Sequence, residues 1–142
     1  MLMPEVTVDK AGRVKIFLDD AENFLERGFK EFKEAVRLND QVRIRDAAEK
    51  LWNATINAAN ALILNHLDIV PASHLERRKL LERLEDERPE IEKLRFRDRY
   101  GARERYLHEM TFYDGIIDVE MIEREVEKVR EYISDVRQVL RD

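Results

Sequence analysis

With 142 residues, 40% of them charged and no cysteine, the chain has room for about one domain; disulfide frameworks, thiolate nucleophiles and cysteine-ligated metals are excluded. Four glycines and three prolines leave strand-and-turn architectures short of turn residues, while 44% apolar content argues against disorder. A formal net charge of −5 rules out general attraction to polyanions, so any nucleic-acid surface has to be local.

Residues 1–13 carry Pro4, Gly12 and the β-like Val6-Thr7-Val8, and read as an extended N-terminal arm; residues 14–142 read as a single helical-bundle domain. No apolar run follows Met1 and no stretch of about 18 apolar residues occurs. A cytoplasmic protein without a membrane partner is therefore expected. Glu and Arg carry most of the charge, and Gln41 and Gln138 are the only glutamines, a composition that points to a thermophile.

The first helix follows from Phe17, Leu18, Ala21, Phe24, Leu25, Gly28, Phe32, Ala35 and Val36, which recur at helical spacing. Asn39-Asp40 ends it, and a second helix starts near Gln41, so close that the two must be antiparallel neighbours. Residues 51–67, LWNATINAANALILNHL, hold no charged side chain, which demands concealment on nearly all sides. Five Asn or His residues make the segment a poor membrane span, so it is expected at the centre of a bundle, with Trp52 and Ala59 deeply buried. Its apolar arc runs through Leu51, Trp52, Thr55, Ile56, Ala59, Leu62, Ile63 and His66. Asn53, Asn57 and Asn60 form a narrow polar stripe opposite, fit for a ligand or a second copy of the chain, or else for solvent and neighbouring helices.

Ser73 with Glu76 makes a capping box that opens a third helix, ending before Pro89. Residues 89–100 are less regular, Gly101 interrupts them, and a short helix from Ala102 to about Tyr113 is closed by Asp114-Gly115. The last helix carries Val119, Ile122, Val126, Val129, Ile133, Val136 and Leu140 in alternating steps of three and four. Such a heptad seam packs either within its own bundle or between subunits. The expected fold is all-α, an up-and-down bundle of about five helices centred on 41–67.

Glycines this scattered make no phosphate cradle, and neither Ser73 nor Ser134 lies in a nucleophile elbow. His66, His74 and His108 lack the Glu-x-x-His spacing of di-iron bundles and the spacing of zinc proteases, so neither a metal nor another cofactor is expected. The segment RFRDRYGARERYLHEMTFY, residues 95–113, is different. Arg95, Arg97, Arg99, Arg103 and Arg105 are interleaved with Phe96, Tyr100 and Tyr106. Guanidinium forks suit phosphates and flat rings suit bases, which makes Arg95, Arg97, Arg99, Tyr100, Arg105 and Tyr106 candidates for single-stranded RNA or nucleotide binding; a salt-bridged surface is the alternative. No DNA partner is expected.

Arg103 and His108 are separated by four residues, about 140° apart on a regular helix. The Arg-x4-6-His pattern resembles the signature of HEPN domains, small helical bundles that occur in ribonucleases and as non-catalytic companions of minimal nucleotidyltransferases. AAEKLWNATINAANALIL, from Ala47 to Leu64, and LHEMTFYDG, from Leu107 to Gly115, resemble more narrowly the archaeal PaREP family, a helical-bundle group without an assigned biochemical role. The resemblance spans roughly residues 15–140. It implies a homodimer and two functional expectations. The first is a non-catalytic bundle that self-associates and binds a protein partner or nucleotide. The second is a metal-independent ribonuclease in which His108 moves protons and Arg103 steadies the phosphate. One histidine serves only one end of that reaction, so two subunits would have to pair their motifs. In the structural alternative, His108 hydrogen-bonds within the bundle and Arg103 pairs with Asp98 or Glu104.

Overall fold

The Asp9 carboxylate accepts a hydrogen bond from the Gly12 amide at 2.8 Å and so caps helix α1, Lys10–Arg37. The computed structural model describes residues 8–141, and residues 10–13, expected in the arm, are the first turn of α1. Most of the expected arm, residues 1–7, lies outside the described residues. Asn39, at φ 52°, turns the chain within three residues, and the Asp40 carboxylate accepts from the Arg43 amide to start α2, Gln41–Leu67. The two longest helices are therefore antiparallel, as the short link requires.

Their contact is close because small residues line it. Ala21, Ala35, Ala47, Ala54 and Ala58 are fully buried, and a Cβ on Gly28 would stand 3.1 Å from Leu51 Cδ2. Trp52 and Ala59 are also fully buried, which places the uncharged segment at the centre as its composition required. The heptad residues of α6, Val119–Arg141, close the core: Ile122, Val126, Val129, Ile133 and Val136 are buried, with Val119 and Leu140 partly so. The seam is thus used inside the chain.

Four shorter helical pieces connect α2 to α6. Ser73 caps α3, His74–Glu87, by accepting from the Glu76 amide at 3.0 Å, while the Glu76 carboxylate accepts from the Ala72 amide. Pro89 starts the four-residue α4, Pro89–Glu92, where its missing N–H costs nothing. Arg95, at φ 57°, then redirects the chain into α5, Phe96–Arg103. Helix α5 runs through Gly101, where an interruption was expected, and passes directly into a π-helix over Glu104–Tyr113. Gly115, at φ 69°, makes the turn before α6. The described residues thus form an all-α bundle of six α-helices and one π-helix, none long and apolar enough to cross a membrane.

Candidate functional site

The wide winding of the π-helix decides which side chains meet. Its hydrogen bonds reach back five residues, as from the Asp114 amide to the Glu109 carbonyl at 2.9 Å, and the Thr111 hydroxyl likewise donates to the Tyr106 carbonyl. Residues five apart are therefore stacked, which brings the His108 and Tyr113 rings edge to face with centroids 4.8 Å apart. Arg45 on α2 fixes the end of this segment by donating to the carbonyls of Phe112 and Tyr113.

Arg103 and His108 are bound to different helices. The Arg103 guanidinium meets Glu125 of α6 through two contacts of 3.1 and 3.0 Å, and the side chains are only 5% and 1% exposed. His108 turns to α2, where Nδ1 lies 2.9 Å from the Glu49 carboxylate. Arg103 thus pairs neither with Asp98 nor with Glu104, as a local ion pair had suggested; Glu104 accepts from Arg78 of α3 at 2.7 and 2.8 Å.

The His108 ring belongs to a junction of α2, α3, α5 and the π-helix. It stacks near Trp52, at 5.7 Å between centroids, and meets the His74 ring at 5.2 Å. Trp52 in turn lies 5.4 Å from His74 and 4.9 Å from Tyr100. Arg77 ties the group together. Its Nε donates to Asn60 Oδ1 at 2.8 Å, and its Nη1 contacts His74 Nδ1 at 3.2 Å and the Tyr100 hydroxyl at 3.1 Å. A guanidinium can only donate, so His74 Nδ1 accepts and the neutral ring carries its proton on Nε2. Burial first, then the Arg77 charge, holds the His74 pKa below its usual value. Burial raises that of the Tyr100 hydroxyl, partly offset by its bond from Arg77.

Other sequence candidates fall into place around this junction. Asn60 of the polar stripe is buried in it, whereas Asn57 donates to the Asn53 carbonyl one turn earlier at 2.8 Å. Tyr100 is fully enclosed, which leaves no ring face for a base and corrects its expected role as a stacking platform. Tyr106 remains exposed. The arginine cluster is the salt-bridged surface of the alternative reading: Arg95 meets Glu92, Arg97 meets Glu82, Arg99 meets Asp135 at 2.9 Å and Arg105 meets Glu109 at 3.1 Å. With Arg103 on Glu125, each of the five has an acidic partner.

Glu49, Trp52, His74 and Arg77 are the members of the junction that sequence reasoning did not select as site residues. The junction is built from segments far apart in the chain, with Asn60 and Arg77 separated by 17 positions and His108 and Glu49 by 59. The one local signal was His74 and Arg77 three apart in the first turn after the Ser73 cap.

No curated protein and no solved structure matches the chain. The model of the archaeal PaREP1/PaREP8 family matches residues 23–133, which run from the middle of α1 through the junction and into α6, and the chain belongs to that family.

Proposed function

We propose that the chain is a non-catalytic, HEPN-like bundle that acts by self-association and by binding a partner or nucleotide. The observation that carries this reading is the division of Arg103 from His108: one is neutralised by Glu125 inside the core, the other is held by Glu49. A guanidinium committed to a buried carboxylate is poorly placed to stabilise charge developing on a phosphate, and freeing it would leave the buried Glu125 with only the ammonium of Lys128, 3.9 Å away. Self-association would not draw on the α6 seam. Better suited are exposed Val42 and Tyr113, which line one surface depression with Arg45, Asp46 and Phe112. Light scattering at micromolar concentration tests this part, and a 17.0 kDa species alone removes it.

One observation favours the ribonuclease as a second reading. His74 stands beside His108 in the same chain, so two imidazoles are available without a partner subunit. His108, with Nδ1–H turned to Glu49, would take the proton of a ribose 2′-hydroxyl through Nε2 as that oxygen attacks phosphorus. His74, once protonated at Nδ1 with release of its bond from Arg77, would give its Nε2 proton to the departing 5′-oxygen and return to the neutral ring. Incubation of the purified protein with single-stranded RNA in EDTA decides between the readings. No cleavage is expected; cleavage that disappears in His108→Ala establishes the enzyme instead.

A further inference from the structure

Arg77 is a buried cation surrounded by neutral groups. It is 6% exposed, yet no carboxylate lies within ion-pair distance of it among the described residues; its hydrogen-bond partners are an amide oxygen, an imidazole nitrogen and a phenol. Two of its five N–H groups, those on Nη2, make no hydrogen bond to a described residue. In the same cluster the fully buried Trp52 indole has an N–H without an acceptor, the one enclosed side-chain nitrogen or oxygen left unpartnered among the described residues. Nη2 of Arg77 is not so enclosed, and therefore keeps contact with solvent.

Unpaired buried charge and unpaired buried donors are both costly, and a native fold seldom keeps them side by side without a counterpart. What is missing is an acceptor with negative charge. The nearby ions do not supply it, because Glu104 is taken by Arg78 and Glu49 by His108. His74 adds another donor on the same side of the balance, since its Nδ1 accepts from Arg77 and its proton sits on Nε2.

We infer that this junction is an oxyanion site, with Arg77 as its cation and the His74 N–H group as a further donor, and that its ligand carries a phosphate group. The inference deepens the nucleotide-binding part of the proposed function and is independent of self-association. Phosphate is favoured over a carboxylate because the free donors come from two side chains and not from one planar fork.

Isothermal titration of the full chain with inorganic phosphate, and separately with AMP, tests it. Saturable phosphate binding is expected in the wild type and its loss in Arg77→Gln. That variant also breaks bonds to Asn60 and Tyr100, so His74→Asn is the second variant: its Oδ1 can accept from Arg77 in place of Nδ1, while the Nε2–H is removed. It should weaken phosphate binding roughly tenfold, the scale of one hydrogen bond to a charged group, with little change in melting temperature. AMP at least ten times tighter than phosphate identifies a nucleotide as the source, and equal affinities identify the free ion. No heat with either ligand, or phosphate binding equal in wild type and His74→Asn, overturns the site. AMP binding that survives Arg77→Gln overturns the site and leaves the nucleotide-binding reading intact.

Discussion

Helix α2 meets its neighbours with two kinds of surface. Toward α1 it presents Ala47 and Leu51, packed so closely that a Cβ on Gly28 would press on both, while the ion pairs of Lys50 with Glu31 and of Arg43 with Glu34 lie at the partly exposed rim. Toward α3, α5 and the π-helix it presents Glu49, Trp52 and Asn60, and the contacts are hydrogen bonds, ion pairs and tilted rings. The buried strip of the first surface is apolar, so a polar side chain placed there would find no partner. The second holds ionisable groups at the edge of solvent, and one of its cations has no counter-ion among the described residues. Stability thus resides on one side of α2 and chemical potential for binding on the other.

The sharpest disruption of α2 is a charge within its buried, uncharged stretch. Ala59→Glu should leave the chain unfolded at room temperature, since an unpaired buried carboxylate costs several kcal/mol against a marginal total. Wild-type melting would remove the central placement of α2. Gly28→Val should cost about 1–3 kcal/mol by overpacking against Leu51 and the Ala47 carbonyl. Gly101→Ala on the other flank should stabilise by roughly 0.5–1 kcal/mol, because nothing stands within 4 Å of the added methyl. Chemical denaturation of both variants checks that the two sides respond with opposite sign.

The polar side should show itself in pH dependence. The folded chain resists protonating His74, which faces Arg77, Arg78, Glu104 and His108, while the unfolded chain takes up that proton near the ordinary value of 6.5. The stabilisation is therefore complete above 6.5 and lost as the pH falls from there through the lowered folded value. Urea midpoints measured across this range should fall in the wild type, and the part due to this group should be missing in His74→Gln. Identical curves would place His74 in a solvent-like setting.

How much of this could be read from the residues differs between the two surfaces for a physical reason. The apolar side repeats: α1 and α6 advertise their buried stripes every three or four positions, and residues 51–67 announce burial by lacking charge, so Trp52 and the α6 seam fell where periodicity put them. The junction has no period. Arg77 finds Asn60, His74 and Tyr100 through tertiary packing alone, and its lack of a carboxylate shows only when every neighbour is in place. The π-helix hides for a related reason, since its five-residue register breaks the three-to-four rhythm by which helices are recognised. Arg103 illustrates the cost of reading locally: Asp98 and Glu104 are near in sequence, but Glu125, 22 residues away, is its partner.

The claim on which the functional account turns is that Arg103 is a structural member of the α5–α6 contact and not one half of a catalytic pair. A double-mutant cycle of Arg103→Met and Glu125→Leu, followed by denaturant unfolding, tests it most directly. Glu125→Leu should cost about 3–5 kcal/mol by stranding a buried guanidinium. Arg103→Met should cost somewhat less, because Lys128 lies 3.9 Å from Glu125 and offsets part of the exposed charge. The double variant should recover most of the loss, as apolar groups replace both ions. Single variants that unfold like the wild type would contradict the account and return Arg103 to the candidate active site.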